Sequence, residues 1–298
     1  MNRIFKHFLF VLFLSLLLPA VSHARIIHTE RSLYSMILID QRGTILCMQF
    51  SVRRDQRNQS CRDTKDPQRM VFTYSKMMMA ALLFQPNPKS ILVIGLGGGT
   101  VPTALAQLLP DAKINVVEID PAVVKAAEDF FDFRETENIS VIVSDGRVYA
   151  KRAIGRKEHY DLIMLDAFNG DYIPEHLMTR EFLQETKQLM NPGAVLVANT
   201  FSISELYHHE STTYTAVFGG FINLKSAFSS NRVIITTPDG TPRVDNLKER
   251  AEALDTRLRP FDVKLSGYID NFYKKPDWNT VARILTDQFS PANLLQAK

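Results

Sequence analysis

Cysteine is scarce: the 298 residues contain two, Cys47 and Cys61, and a lone pair is poor support for a metal site. No G-x-S-x-G occurs, so there is no nucleophile elbow around a serine and hydrolase chemistry is not expected. No clustered lysine and arginine face with interleaved aromatics is visible, which argues against a nucleic-acid partner. Repeats and low-complexity stretches are also missing. At 45% hydrophobic the chain can bury a large core. His208-His209-Glu210 invites a metal reading, but adjacent helical histidines point about 100° apart and cannot both face one ion. A solvated helix face is expected there, and no metal.

The apolar stretch near the start, Phe8 to Leu18, has only eleven residues, too few to span a bilayer comfortably. It follows Arg3 and Lys6 and precedes Pro19, with small residues at Ser22 and Ala24 before Arg25. This is the pattern of a cleaved signal peptide over residues 1–24, an uncleaved anchor being the alternative. The mature chain is then expected to be exported, periplasmic or secreted, with no stable membrane insertion. Cleavage removes two basic residues and no acid, so 35 Lys and Arg fall to 33 against 32 Asp and Glu, and +3 becomes +1. In an oxidising compartment Cys47 and Cys61 form one disulfide; two unpaired thiols are the alternative.

ILVIGLGGGTVPTA, residues 91–104, carries four glycines in five positions. The apolar run Ile91–Ile94 predicts a strand buried on both faces, and the helical spacing from Thr103 places Gly95, Gly97, Gly98 and Gly99 on a strand-to-helix turn. Such a turn either packs a helix tightly on a strand or brings backbone N–H groups close to an electron-rich ligand. The next strand, INVVEID, ends in Glu118 and Asp120, with Glu118 about 20 residues beyond the glycines. An open α/β sheet places a ribose-binding carboxylate there. Together these elements predict a nucleoside-binding unit.

Residues 25–75 read as a small β appendage: a hairpin of LYSMILI and TILCMQFSV about Gln41-Arg42-Gly43, then a charged loop to about Asp66. From Tyr74, YSKMMMAALLFQ reads as a helix whose methionines fill a core. Residues 76–298 then alternate: ISVIVSD and a helix from about Arg147, YDLIMLDAF and a helix from Thr179, AVLVANTF and a helix from about Ser204, and a hairpin of FINLKSAF with RVIITT. The expected fold is α/β, a mostly parallel doubly wound sheet with an antiparallel C-terminal hairpin, as in Rossmann-like transferases that use S-adenosylmethionine.

The order VIGLGGGT, VVEID, VSDGRVYAKR, YDLIMLDAF on a β appendage resembles the spermidine synthases and their aminopropyltransferase relatives. DYIPEHLMTREF, SSNRVIIT and LTDQFSPANLL are similar to a divergent bacterial branch of that family. The resemblance implies a donor, S-adenosylmethionine or its decarboxylated form, and a small-molecule amine acceptor of polyamine type. It implies that Glu118 holds the ribose, that Asp145 and Gly146 read the adenine, and that Asp166 is the catalytic carboxylate, able to accept the proton an ammonium loses before attack. Tyr74, Asn169 and Asp171 are the candidates on the acceptor side. A homodimer is one assembly the sequence allows.

The departures from the family pattern are specific. An aspartate usual inside the glycine turn is Gly98 here, a second carboxylate three residues after the catalytic one is Asn169, and Tyr-His-Glu is Tyr74-Ser75-Lys76. Lys76 would repel a dication if it pointed inward. Glycine at 98 removes an anion that would exclude a donor carboxylate. Aminopropyl transfer is therefore the first expectation, methyl transfer the second, and a non-catalytic exported nucleoside binder the third.

Overall fold

The computed structural model describes residues 25–51, 58–168 and 172–290. The expected signal segment, Asn169 and Asp171 lie outside them. The appendage is a four-stranded antiparallel meander of β1 (Arg25–Arg31), β2 (Met36–Arg42), β3 (Ile45–Ser51) and β4 (Asn58–Asp63). The expected hairpin is β2–β3. The outer strands correct the reading of this region, because β4 occupies part of the stretch read as a charged loop. Its sequence, NQSCRD, is too polar to look like a strand. It forms because it pairs with β3, Cys47 opposite Cys61, and these two residues are joined as a disulfide.

The main sheet has β5 (Ser90–Ile94), β6 (Lys113–Glu118), β7 (Ile139–Val143), β8 (Tyr160–Leu165), β9 (Met190–Phe201), β10 (Ile222–Lys225) and β11 (Asn231–Thr236). Their spatial order is β10-β11-β9-β8-β5-β6-β7, with β5, β6, β7, β8 and β9 parallel and β10–β11 the antiparallel hairpin expected. Alternation along the strands feeds two cores. Ile91 and Val93 join Ile114, Val116, Leu162 and Met164 on one face, while Leu92 and Ile94 join Val117, Ile163 and Leu165 on the other. A strand buried on both faces has no polar positions, which is why ILVI is apolar throughout.

Helix α1 (Thr73–Met78) continues as a 3₁₀ turn through Leu83, and Met70, Met77, Met78 and Met79 are fully buried. It is followed by α2 (Thr100–Leu108), α3 (Pro121–Phe130), α4 (Gly146–Gly155), α5 (Arg180–Gln188), α6 (Tyr207–Phe218) and α7 (Leu247–Leu258). The appendage packs Ile37, Ile39 and Met48 against Val123, Ala126 and Phe131 at α3, which brings β4 beside the glycine turn. On α6 the solvated face expected at His208-His209-Glu210 is corrected. Glu210 is 3% exposed and ion-paired at 3.0 Å with the fully buried Arg232. His208 and His209 instead bond the backbone of Asn279 and Arg283.

Candidate active site

The glycine turn follows β5, the strand at which the sheet order reverses, with β6 on one side and β8 on the other. Crevices form at such switch points because successive connections leave in opposite directions. Here the crevice is a cleft of about 490 Å³. It crosses the carboxyl ends of the strands from Asp145 after β7, past Glu118 and Gly95, to Asp166 after β8 and Asn199 on β9. Three carboxylates line it and, among the described residues, no lysine or arginine. The local field therefore favours a cation.

Gly95 has φ +102°, and a Cβ there would lie 2.3 Å from the Asp166 carbonyl oxygen. The turn accepts only glycine if β5 and β8 are to close up behind the cleft. Glu118 supports the same turn: one carboxylate oxygen accepts from Leu96 N–H at 3.0 Å and the other from Asp120 N–H at 3.0 Å. Burial raises its pKa against these hydrogen bonds. Each oxygen keeps a lone pair, so a ribose hydroxyl can still be accepted.

Several candidates stand apart from the cleft. Asp120 caps α3 through Ala122 N–H at 2.9 Å and does not line the crevice. Gly98 and Gly99 face inward: a Cβ at Gly98 would meet Phe131 and Ser60 at 2.7 Å, and one at Gly99 would meet Phe133 at 2.3 Å. The space beside residue 98 is thus already filled, so Gly98→Asp would disturb packing rather than only add charge. Gly97 and Gly146 do line the cleft. Asp145 lines it too, but its carboxylate caps α4 through Arg147 and Val148 N–H, both at 2.9 Å, and meets His176 Nε2 at 2.7 Å. One lone pair on Oδ2 remains for an adenine amino group.

Asp166 is the group on which the two halves of the cleft converge. Its Oδ1 accepts from Asn199 Nδ2 at 2.8 Å, and the Tyr74 hydroxyl also donates to it. Asn199 in turn accepts from Asn231 Nδ2 at 3.0 Å, and Asn231 accepts from Ser229 Oγ at 3.3 Å. When Asp166 is ionised it only accepts, and that fixes the direction of every donor in this chain. Desolvation pushes the Asp166 pKa up to about 7, against the lowering effect of Asn199 and Tyr74. A carboxyl poised there exchanges a proton readily at neutral pH. Lys76 turns away and pairs with Asp262, so the feared repulsion does not arise. Asn199, Asn231 and His176 were not singled out from sequence. Asn199, 3% exposed inside the apolar strand AVLVANTF, is the one whose signal was visible.

A cleft at the switch point of a Rossmann-like sheet, with carboxylates just at or beyond the ends of β6, β7 and β8, stands where proteins of this fold bind their ligands. Residues 71–239 match the spermine/spermidine synthase domain. The chain is 49% identical over 292 residues to a polyamine aminopropyltransferase of Vibrio vulnificus, covering 97% of each, and 31% identical over 231 residues to one of Chromobacterium violaceum, covering 76% of this chain and 86% of that one. A probable spermidine synthase from Corynebacterium glutamicum shares the fold, with a TM-score of 0.64 at 20% identity over 80% of this chain and 89% of that one. The chain belongs to the spermine/spermidine synthase family. That membership favours an enzyme over the non-catalytic binder.

Proposed function

We propose that the protein transfers the aminopropyl group of decarboxylated S-adenosylmethionine to a primary amine and releases methylthioadenosine. The observation that carries this reading is Asp166, a carboxyl held by Tyr74 and Asn199 between the two halves of a cleft lined by acids. The donor carries a sulfonium and an ammonium, and the acceptor arrives as an ammonium; all three suit a site with three carboxylates and, among the described residues, no lining lysine or arginine. Asp166 takes a proton from the acceptor ammonium. The freed nitrogen lone pair then forms a bond to the aminopropyl carbon on sulfur, the C–S bond breaks, and its electron pair neutralises the sulfonium as a thioether. The secondary amine formed carries the remaining positive charge, and Asp166 returns its proton to water. The names of the curated relatives support the same chemistry.

Asp166→Asn tests this. Without the base, turnover should fall about 10²–10⁴-fold. The folded pKa of Asp166 is raised, so the folded state binds a proton the unfolded state has lost between about pH 4 and 7, and ionisation costs stability above that window. The variant should therefore be more stable at pH 8, on the order of 1–3 kcal/mol, and unchanged at pH 3. Unchanged turnover would remove the assignment.

Methyl transfer from intact S-adenosylmethionine is the second reading, and one observation favours it. Gly97 faces the Ser60 side chain, and the acid at this turn, Glu118, has its two oxygens engaged by the Leu96 and Asp120 N–H groups, so no carboxylate replaces the missing aspartate on the Gly97 side among the described residues. We further propose that residues 1–24 direct export. The Cys47–Cys61 disulfide, which suits an oxidising compartment, supports this.

A further inference from the structure

Two separate pieces of chain border the donor end of the cleft: the start of α4, with Asp145 and Gly146, and a 3₁₀ turn, Glu175–Leu177, that leads into α5 and carries His176. His176 Nε2 reaches across to Asp145 Oδ2 at 2.7 Å, but the imidazole is 44% exposed, and one exposed contact holds two elements only weakly. A stronger link comes from LTDQF, residues 285–289. Asp287 Oδ1 accepts from Arg147 Nη1 at 2.6 Å and from Thr179 Oγ1 at 2.8 Å, and Oδ2 accepts from Arg147 Nη2 at 2.7 Å. Its N–H donates to Glu181 at 3.0 Å. Arg147 lies two positions after Asp145, and Thr179, the cap of α5, three after His176. The fully buried Leu285 packs with Met178 and Leu206, and its carbonyl accepts from Arg180 N–H at 2.8 Å. None of residues 285–290 lines the cleft.

We infer that Asp287 is a positioning residue of the donor site: by joining Arg147 to Thr179 it sets the spacing of Asp145 and His176, and with it the selectivity of the site for a 6-aminopurine. This rests on the assignment of Asp145 to the adenine of the donor. The Asp145 Oδ1 is taken by the Arg147 and Val148 N–H groups, and His176 takes one side of Oδ2. One lone pair is left, and its direction depends on where His176 stands. An amino group at position 6 of a purine donates to that lone pair, whereas a carbonyl oxygen there sets lone pair against lone pair. Arg147 also holds Glu185, in the middle of α5, at 2.9 and 3.0 Å. That bond alone leaves a pivot. The second carboxylate, Asp287, ties the same guanidinium to the start of α5, and a planar fork held by two carboxylates fixes both distance and direction.

Calorimetric titration of the purified protein with methylthioadenosine and with its 6-oxo analogue, methylthioinosine, tests this without turnover. The unaltered protein should prefer the amino form. Asp287→Ala should weaken methylthioadenosine about three- to tenfold and narrow the preference between the two bases. Asp287→Asn, which keeps the size and an acceptor for Thr179, should fall between, and it carries the test alone if the alanine variant does not fold. In a His176→Ala background, Asp287→Ala should have little further effect on base preference, because the contact it positions is already gone. A lowered unfolding midpoint with affinity and base preference unmoved would reduce Asp287 to a fastening of residues 285–290 and overturn the inference; so would fully additive losses in the double variant. Asp145→Ala separates the two ways of failing. Unchanged methylthioadenosine binding in that variant would remove the adenine assignment and the inference with it, whereas weakened binding there with both Asp287 variants unaffected would overturn the inference alone. Whether an aminopropyl group is transferred is judged by turnover and stands or falls apart from these affinities.

Discussion

Asp166 shows how much chemistry depends on neighbours that a sequence does not place together. Its position after a buried strand was legible, because an acid at the end of YDLIML stands where open α/β sheets gather their ligands. Its pKa near 7 was not, because that value comes from burial opposed by Asn199 and Tyr74, which lie 33 and 92 positions away in the chain. The same holds for Lys76, whose charge read as a threat to a cationic ligand until its partner Asp262 was located. Gly98 read as a missing acid, whereas Ser60 and Phe131 already occupy the room an acid would need. The hydrogen bond from Asn199 makes a sharp prediction. Asn199→Leu removes a donor to the carboxylate, so the Asp166 pKa should rise further and the rising limb of kcat/KM should move to higher pH by about 1–2 units. A loss of activity with the pH profile unmoved would mean that Asn199 only supports the fold.

Among the elements, strands that bury two faces were readable and a strand held by pairing alone was not. ILVI is apolar throughout and INVVE and YDLIML are mostly so, while NQSCRD in β4 becomes a strand only because β3 and the disulfide hold it. That strand sets Ser60 against the glycine turn and helps line the cleft. Cross-linking residues 14 apart removes loop entropy worth about 3 kcal/mol from the unfolded chain. The paired change Cys47→Ser and Cys61→Ser should therefore cost on the order of 2–4 kcal/mol in denaturant unfolding, and should weaken methylthioadenosine binding at temperatures where the fold persists. Stability lost with affinity intact would show that β4 does not shape the donor end. Asp145 carries a double duty of the same kind, since it follows β7, caps α4 and still borders the cleft.

At the scale of the whole molecule, one β unit and one α/β unit were expected and both are present, joined where Ile37, Ile39 and Met48 meet Val123 and Ala126. Sheet order follows from alternating strands and helices, with the reversal at β5 setting the glycine turn over the cleft. The compartment is a separate question with its own test: intact mass of the protein recovered from its native host should begin at Arg25 and be lighter by two hydrogens than the reduced chain, and a mass that includes Met1 with two free thiols would refute export. The central claim is the group transferred. The purified mature chain is incubated with a primary amine and, in parallel, with decarboxylated and intact S-adenosylmethionine, and the products are identified by mass spectrometry. Aminopropyl transfer predicts methylthioadenosine and an aminopropylated amine from the decarboxylated donor, both abolished in Asp166→Asn; a methylated amine with S-adenosylhomocysteine from the intact donor, and no aminopropylated product, would contradict it.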